Sequence, residues 1–186
     1  MNNIFYESID GDASKKENIE KMGRTADCTI DNKSFWFHQH AKTFFGMCFK
    51  NESFDIAIWT TALKQNTTRV LKQLVSETLQ DQFMFTWTAS GCKQQKGQKA
   101  IDNPTKVVNT KQLKRVWTKY SQYDATNTLL VDSAERVEKN SKENLILATT
   151  FDGKNQDDKW LITDLLILIN KLCMAPDVRD ILKNFQ

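Results

Sequence analysis

The sequence has little of what interrupts a folded chain: six glycines and two prolines among 186 residues. Collagen-like and linker sequences are rich in these residues, so both classes are excluded. The chain also has no Cys-x-x-Cys pair and only two histidines, so a zinc-binding module is not expected. Hydrophobic residues make up 40% of the chain and charged residues 26%. This balance excludes a disordered chain and predicts one domain with a hydrophobic core.

The chain lacks a long apolar run as well. Its most apolar stretch, residues 160–174, is interrupted by Asp164, Asn170 and Lys171, whereas a membrane-spanning helix needs about 20 nearly uninterrupted apolar residues. The first residues lack the basic-then-apolar order of a secretory signal. We therefore expect no transmembrane segment and an intracellular protein, without distinguishing nucleus, cytoplasm and mitochondrion.

Positive charge is concentrated in residues 93–119, which hold eight lysines and arginines and one aspartate, a local net charge of +7. The whole chain is only +3, so the remainder is net −4. Such a segment favours polyanionic partners such as phosphorylated peptides or nucleic acid. A solvated lysine-rich loop is an equal alternative. Residues 93–106 contain no aromatic side chain on which bases could stack, so nucleic acid is not an expected partner.

Apolar periodicity predicts alternating strands and helices. A polar loop with Gly91, Gly97 and Pro104 is expected in the middle of the chain. Because the predicted strands are largely apolar on both faces, we expect a mostly parallel sheet that is covered on both sides. The predicted strands are residues 54–59, 83–87, 127–131 and 144–148, and the predicted helices are residues 63–79, 111–120, 161–172 and 177–185.

Three polar residues stand where this fold class places its ligands, at the carboxyl ends of strands. Thr60 follows the first predicted strand, Asp132 follows the third, and Lys111 begins the short helix between them. A hydroxyl and an ammonium can hold phosphoryl oxygens, and a carboxylate can hold a divalent cation. The pattern therefore favours phosphate chemistry.

Five segments, in this order, resemble the NLI-interacting-factor-like family of RNA polymerase II C-terminal-domain phosphatases, within the haloacid dehalogenase superfamily. They are FDIAIWTTA (54–62), FMFTWTASGC (83–92), KQLKRVW (111–117), NTLLVDSAERV (127–137) and DLLILINKLCMAPDVRDIL (164–182). The resemblance implies a three-layer, Rossmann-like α/β fold with a mostly parallel central sheet. It suggests a division into an N-terminal segment, residues 1–34, a candidate remnant of the first strand and flap, and a phosphatase-homology domain, residues 35–186.

The resemblance also implies a mechanism. Family members use an Asp-x-Asp-x-Thr motif, in which the first aspartate attacks phosphorus, the second acts as general acid and base, and Mg²⁺ neutralises the developing charge. By this resemblance Thr60 and Lys111 would bind phosphate, and Asp132 would bind the metal. As structural alternatives, Thr60 and Asp132 would be caps, and Lys111 an exposed helix lysine.

Two departures from the family pattern concern its binding residues. The family has two consecutive acids where this chain has Asp132 followed by Ser133. Loss of one acid predicts a weakened or absent Mg²⁺ site, because Mg²⁺ gives up its water reluctantly. The resemblance implies that the family's first helix lies at residues 41–49, and the Arg-Pro pair that precedes it in the family is replaced by His38 and Gln39.

The third departure concerns the catalytic motif, for which Asp10 and Asp12 are the candidates. The segment before them contains Glu7 and Ser8, and a central strand buried on both faces should not carry an unpaired carboxylate. Asp10 and Asp12 therefore either form a polar N-terminal turn or act as nucleophile and acid/base.

Aromatic residues cluster just before and within the helix implied for residues 41–49, where an exposed patch for a partner and a buried core are the alternatives. The sequence favours the core. The residues are Phe35, Trp36, Phe37, Phe44 and Phe45.

The leading hypothesis is a catalytically impaired phosphatase-homology domain, a degenerate family member that serves as a binding or structural subunit of a protein complex. Its partner would be a protein or a phosphorylated protein. The alternative is an active Mg²⁺-dependent protein Ser/Thr phosphatase with an aspartyl-phosphate intermediate on Asp10.

Overall fold

The computed structural model describes residues 4–11, 16–100, 103–133, 139–155 and 157–184. None of the helices in these ranges is long and apolar enough to cross a bilayer. The strands are β1 (Tyr6–Asp10), β2 (Cys28–Ile30), β3 (Lys33–Phe37), β4 (Ile58–Trp59), β5 (Thr86–Trp87), β6 (Lys93–Ala100), β7 (Asn103–Thr110), β8 (Leu130–Asp132) and β9 (Leu145–Leu147). The α-helices are α1 (Lys16–Met22), α2 (Ala41–Phe49), α3 (Lys64–Leu74), α4 (Glu77–Gln80), α5 (Leu113–Lys119), α6 (Leu166–Leu172) and α7 (Val178–Leu182), with a π-helical turn, Leu161–Leu165, running into α6.

Two parallel strand pairs connected through helices confirm the predicted α/β class. Strand β4 pairs with β5, and β8 pairs with β9, both in parallel. Successive residues of β4 face opposite sides, with Ile58 in the larger core cluster and Trp59 in the smaller one. In β9, Leu145 faces the smaller cluster and Ile146 the larger. Both pairs are therefore covered on two faces, as parallel strands require.

The N-terminal strands form a separate antiparallel sheet with the order β1-β3-β2. Asp31 and Asn32 link β2 to β3 with φ angles of 48° and 57°, the left-handed conformation that a two-residue hairpin turn requires. Strand β1 lies at an edge of this sheet, where Glu7 and Ser8 are half-buried. The pairing of β1 with β3 joins residues on both sides of position 34. The division of the chain into an N-terminal segment, residues 1–34, and a domain, residues 35–186, stays a prediction.

The larger core cluster contains most of the aromatic group predicted to be buried. Phe35, Phe44 and Phe45 are 5%, 6% and 2% exposed and belong to the cluster, while Phe37 packs against it. Trp36 is fully buried. One face of the π-helical turn and α6 is also buried, at Leu161, Leu165, Leu168 and Leu172, and Ile169 packs against the cluster while partly exposed. The choice of core over exposed patch is confirmed for these aromatic residues.

Several predicted elements were wrong in extent or type. The strands predicted for residues 54–59 and 83–87 are reduced to the two-residue strands β4 and β5. The helix predicted for residues 63–79 ends at Leu74, because Val75 has extended backbone angles (φ −138°, ψ 133°), and α4 follows as a separate turn. The predicted polar loop is an antiparallel hairpin of β6 and β7 with shifts in its register. Apolar periodicity does not reveal such a hairpin, because backbone hydrogen bonds, which any sequence can form, build its ladder.

Candidate functional site

Thr60 directly follows β4, at the carboxyl end of the parallel pair of β4 and β5. Thr60 is 4% exposed, and its backbone N–H donates to the Trp87 carbonyl at 2.9 Å. Its Oγ1 accepts from the Ala62 N–H at 3.1 Å, a local turn contact that fixes the hydroxyl beside its own backbone. The phosphate-binding role predicted for this hydroxyl stays a prediction.

A buried ion pair joins the other two predicted strand-end residues. Lys111 lies at the end of β7, two residues before α5, and Asp132 ends β8. The Lys111 Nζ donates to Asp132 Oδ2 at 2.7 Å, and both side chains are only 2% exposed. Burying two charges costs several kcal/mol per ion, which the mutual attraction of a close, hydrogen-bonded pair offsets. The two charges therefore depend on each other.

Cys92 connects this pair to Thr60, and sequence reasoning did not single it out. Its Sγ lies 3.8 Å from the Thr60 carbonyl oxygen. Burial raises the pKa of the Cys92 thiol, while Lys111 lowers this pKa and Asp132 raises it. The charges of Lys111 and Asp132 therefore both affect the pKa of this thiol. Its position directly after a strand-and-turn segment was the only signal in the sequence.

The structure does not bring Asp10 to this region by strand pairing. Asp10 ends β1, which pairs with β3 in the antiparallel sheet and not with β4 or β8. Its side chain is 92% exposed and lies 3.4 Å from Lys33 Nζ. Asp12 lies outside the described residues. The catalytic roles of both aspartates stay predictions.

A family model described as "NLI interacting factor-like phosphatase" matches residues 13–179. The chain belongs to this family. Membership confirms the haloacid dehalogenase-like α/β fold and a phosphatase-like domain. No curated protein matches the chain.

Among solved structures, the family member is similar to the fission yeast RNA polymerase II CTD phosphatase Fcp1, in an arginine-to-alanine variant bound to beryllium fluoride. The two share 11% identity, with a TM-score of 0.48 over 92% of this chain and 50% of that chain. This chain therefore spans half the length of the chain that it matches. The fold assignment rests on the family model.

Phosphatases of this superfamily use Mg²⁺, but the described residues of this family member do not fit that ion. Mg²⁺ is held by carboxylate and other oxygen ligands. The Asp132 carboxylate already accepts from an ammonium at 2.7 Å, which places a positive charge where a dication would need to be. The next residue is Ser133 and not a second acid. No group of three or more His, Cys, Asp or Glu in the described ranges could hold a metal.

His38 replaces the family's Arg-Pro pair at the start of α2, and it is buried. Its Nδ1 accepts from the His40 backbone N–H at 3.1 Å, and its Nε2 lies 3.5 Å from Asp158 Oδ2. Burial lowers the pKa of His38, and His40 also lowers it, while Asp158 acts in the opposite direction. The net shift of the His38 pKa is downward, so folding disfavours protonation of this ring.

We expect stability to fall as the pH is lowered through about 6.5, the ordinary histidine pKa. The unfolded chain binds a proton on His38 more readily in that range than the folded chain does, so acid favours unfolding. Urea titrations between pH 7.5 and 5.5 should show this slope, and His38→Gln should reduce it. His40→Gln removes a ring that lowers the His38 pKa, so it should reduce the slope only in part. An equal slope in the His38→Gln variant would contradict the assignment.

Proposed function

We propose that this phosphatase-like domain is catalytically impaired and acts as a binding or structural subunit of a protein complex. The observation that carries the proposal is the ion pair of Lys111 and Asp132, with Nζ and Oδ2 2.7 Å apart and both side chains 2% exposed. Family chemistry needs these groups for different tasks, the ammonium for phosphate and the carboxylate for the metal. Here each neutralises the other.

Recruiting either group to a ligand would separate it from an opposite buried charge 2.7 Å away. Breaking a buried pair in this way costs about 3–5 kcal/mol. A phosphate could offset the loss at Lys111, but the Asp132 carboxylate would then need a cation, for which the described residues give little support. The ion pair therefore favours an arrangement in which Lys111 and Asp132 stay bonded to each other and bind no substrate. We call this the resting arrangement.

The position of the candidate nucleophile supports the same proposal. An attacking carboxylate must lie within about 3–3.5 Å of phosphorus, in line with the leaving group. Asp10 is exposed and lies 3.4 Å from Lys33 in the antiparallel sheet. No contact among the described residues joins Asp10 to Thr60 or Asp132. This arrangement supports a domain that acts through its surfaces.

A hydrolysis assay separates the impaired domain from the active phosphatase. We expect no Mg²⁺-dependent hydrolysis of para-nitrophenyl phosphate above the buffer blank, and none of a phosphoserine peptide. Asp10→Asn is the matched control, because this exposed side chain can be changed without disturbing the core. The expected result is that both proteins give the same blank rate. Turnover that requires Mg²⁺ and disappears in Asp10→Asn would overturn the proposal in favour of the aspartyl-phosphate mechanism.

A further inference from the structure

Three aromatic rings form a continuous stack beside the smaller core cluster. Phe85 stacks on Trp87, with ring centroids 4.2 Å apart and planes 26° apart. Phe85 also stacks on Tyr120 at 5.7 Å and 13°. All three rings are partly exposed. Of the three rings, Trp87 also lines a groove, where it offers a surface for a planar ligand.

Two cations of α5 lie on this stack. The Arg115 guanidinium carbon is 5.5 Å from the Trp87 ring centroid. The Lys119 ammonium is 5.7 Å from the Trp87 centroid and 5.2 Å from the Tyr120 centroid. Both side chains are exposed. These distances are those of cation–π contacts, which hold the two charges over the rings.

The charge on this face is of one sign. Lys114 is exposed beside Arg115, and Lys114, Arg115 and Lys119 form no ion pair with the described residues. A groove of about 580 Å³ runs along them and contains no acidic side chain. The groove is lined by Trp87, Gln112, Lys114, Arg115, Thr118 and Lys119.

We propose that this surface, the cation–aromatic groove, binds single-stranded nucleic acid. Proteins that bind single strands combine cations that contact the phosphates with aromatic side chains on which bases stack, and here both lie on one face. The planar Arg115 guanidinium can stack on a base as well as on Trp87. The sequence predicted the opposite, because residues 93–106 have no aromatic residue. The ring in the groove comes instead from Trp87, which lies outside that window and stacks on Phe85.

A phosphorylated peptide is the competing class of ligand, and the ring stack decides against it. Three uncompensated cations would serve a phosphopeptide equally well. A phosphoserine side chain offers no planar group to the Trp87 ring and the Arg115 guanidinium in the groove, whereas every base has a face that can stack. The proposal is independent of catalysis, because none of the groove residues belongs to the Lys111 and Asp132 pair.

The test measures binding of the full chain to a fluorescently labelled 12-nucleotide single strand of mixed sequence, by anisotropy between 50 and 200 mM salt. We expect the affinity to fall with salt, with a logarithmic slope of about −2 for three phosphate contacts at −0.7 each. The double variant Arg115→Gln/Lys119→Gln should weaken binding at least about tenfold at 50 mM salt and reduce the slope by about 1.4. The matched control, Lys42→Gln/Lys50→Gln, removes two exposed lysines of another face and should bind like the wild type.

The stack is tested by Trp87→Ala, expected to weaken binding at least about fivefold, and by Trp87→Phe, which keeps a ring and should stay within about threefold of wild type. Circular dichroism establishes whether each variant is folded. If Trp87→Ala does not fold, the double variant Arg115→Gln/Lys119→Gln still tests the proposal. Absence of binding at 50 mM salt would overturn the proposal. So would equal weakening in the control pair, or displacement of the strand by a phosphoserine peptide at the same concentration of phosphate.

Discussion

Replacing Lys111 by methionine is expected to destabilise the domain by about 3–5 kcal/mol, because the Asp132 carboxylate would be left buried without its countercharge. The starting geometry is a 2.7 Å contact between side chains that are 2% exposed. Methionine keeps the length and most of the volume of lysine, so the loss reports charge and not a cavity. Urea denaturation at pH 7 followed by circular dichroism measures the change in the free energy of unfolding.

Two control variants make this result specific. The double variant Lys111→Met/Asp132→Leu removes both charges and should recover most of the loss, since a buried pair replaced by apolar residues is often neutral or stabilising. Lys183→Met breaks an exposed pair, 3.2 Å from Asp180, and should cost at most about 1 kcal/mol. If Lys111→Met cost no more than Lys183→Met, the two buried charges would not depend on each other, and the proposed resting arrangement would lose its basis.

Replacing Trp36 by alanine is expected to cost about 3–5 kcal/mol, the range for removing a large buried side chain. Trp36 is fully buried in the central strand of the antiparallel sheet. Its indole N–H donates to the Arg24 carbonyl at 3.1 Å, and its Cβ lies 3.3 Å from the position that a Cβ on Gly153 would take. The side chain therefore joins three distant parts of the chain.

The Trp36→Phe variant separates packing from hydrogen bonding. It keeps most of the buried ring but leaves the Arg24 carbonyl without this donor, so we expect a loss of about 1–2 kcal/mol. Unfolding should remain a single transition in both variants, with circular dichroism and tryptophan fluorescence coinciding. A loss below about 1.5 kcal/mol for Trp36→Ala, or two separate transitions, would show that the antiparallel sheet is not part of the same cooperative unit.

The fold was predictable where apolar periodicity sets the element. The helix predicted for residues 161–172 is present with the same bounds, as the π-helical turn Leu161–Leu165 followed by α6, Leu166–Leu172. The objection to β1 as a central strand was also sound in physical terms, because Glu7 and Ser8 lie half-buried in an edge strand, where one polar side is tolerated. The β6–β7 hairpin was not predictable from the same signal, since its residues are mostly polar and only backbone pairing holds its ladder.

The site was predictable only in part. Strand ends indicated Thr60, Lys111 and Asp132, but charge and spacing alone do not reveal that Lys111 and Asp132 face each other at 2.7 Å. That contact depends on how the end of β7 packs against the end of β8. The stack of Phe85, Trp87 and Tyr120 was missed for a similar reason. Its rings lie up to 35 positions apart in the chain, so no local window contains them.

Whether the strand-end residues can still assemble for phosphoryl transfer is tested by a crystal structure of the chain grown with Mg²⁺ and beryllofluoride, which mimics a phosphoryl group bonded to an aspartate. We predict that Lys111 Nζ and Asp132 Oδ2 stay within hydrogen-bond distance and that Asp10 carries no adduct. Beryllofluoride bonded to Asp10, with Lys111 turned toward its fluorides and Mg²⁺ on Asp132, would contradict the proposal of an impaired domain.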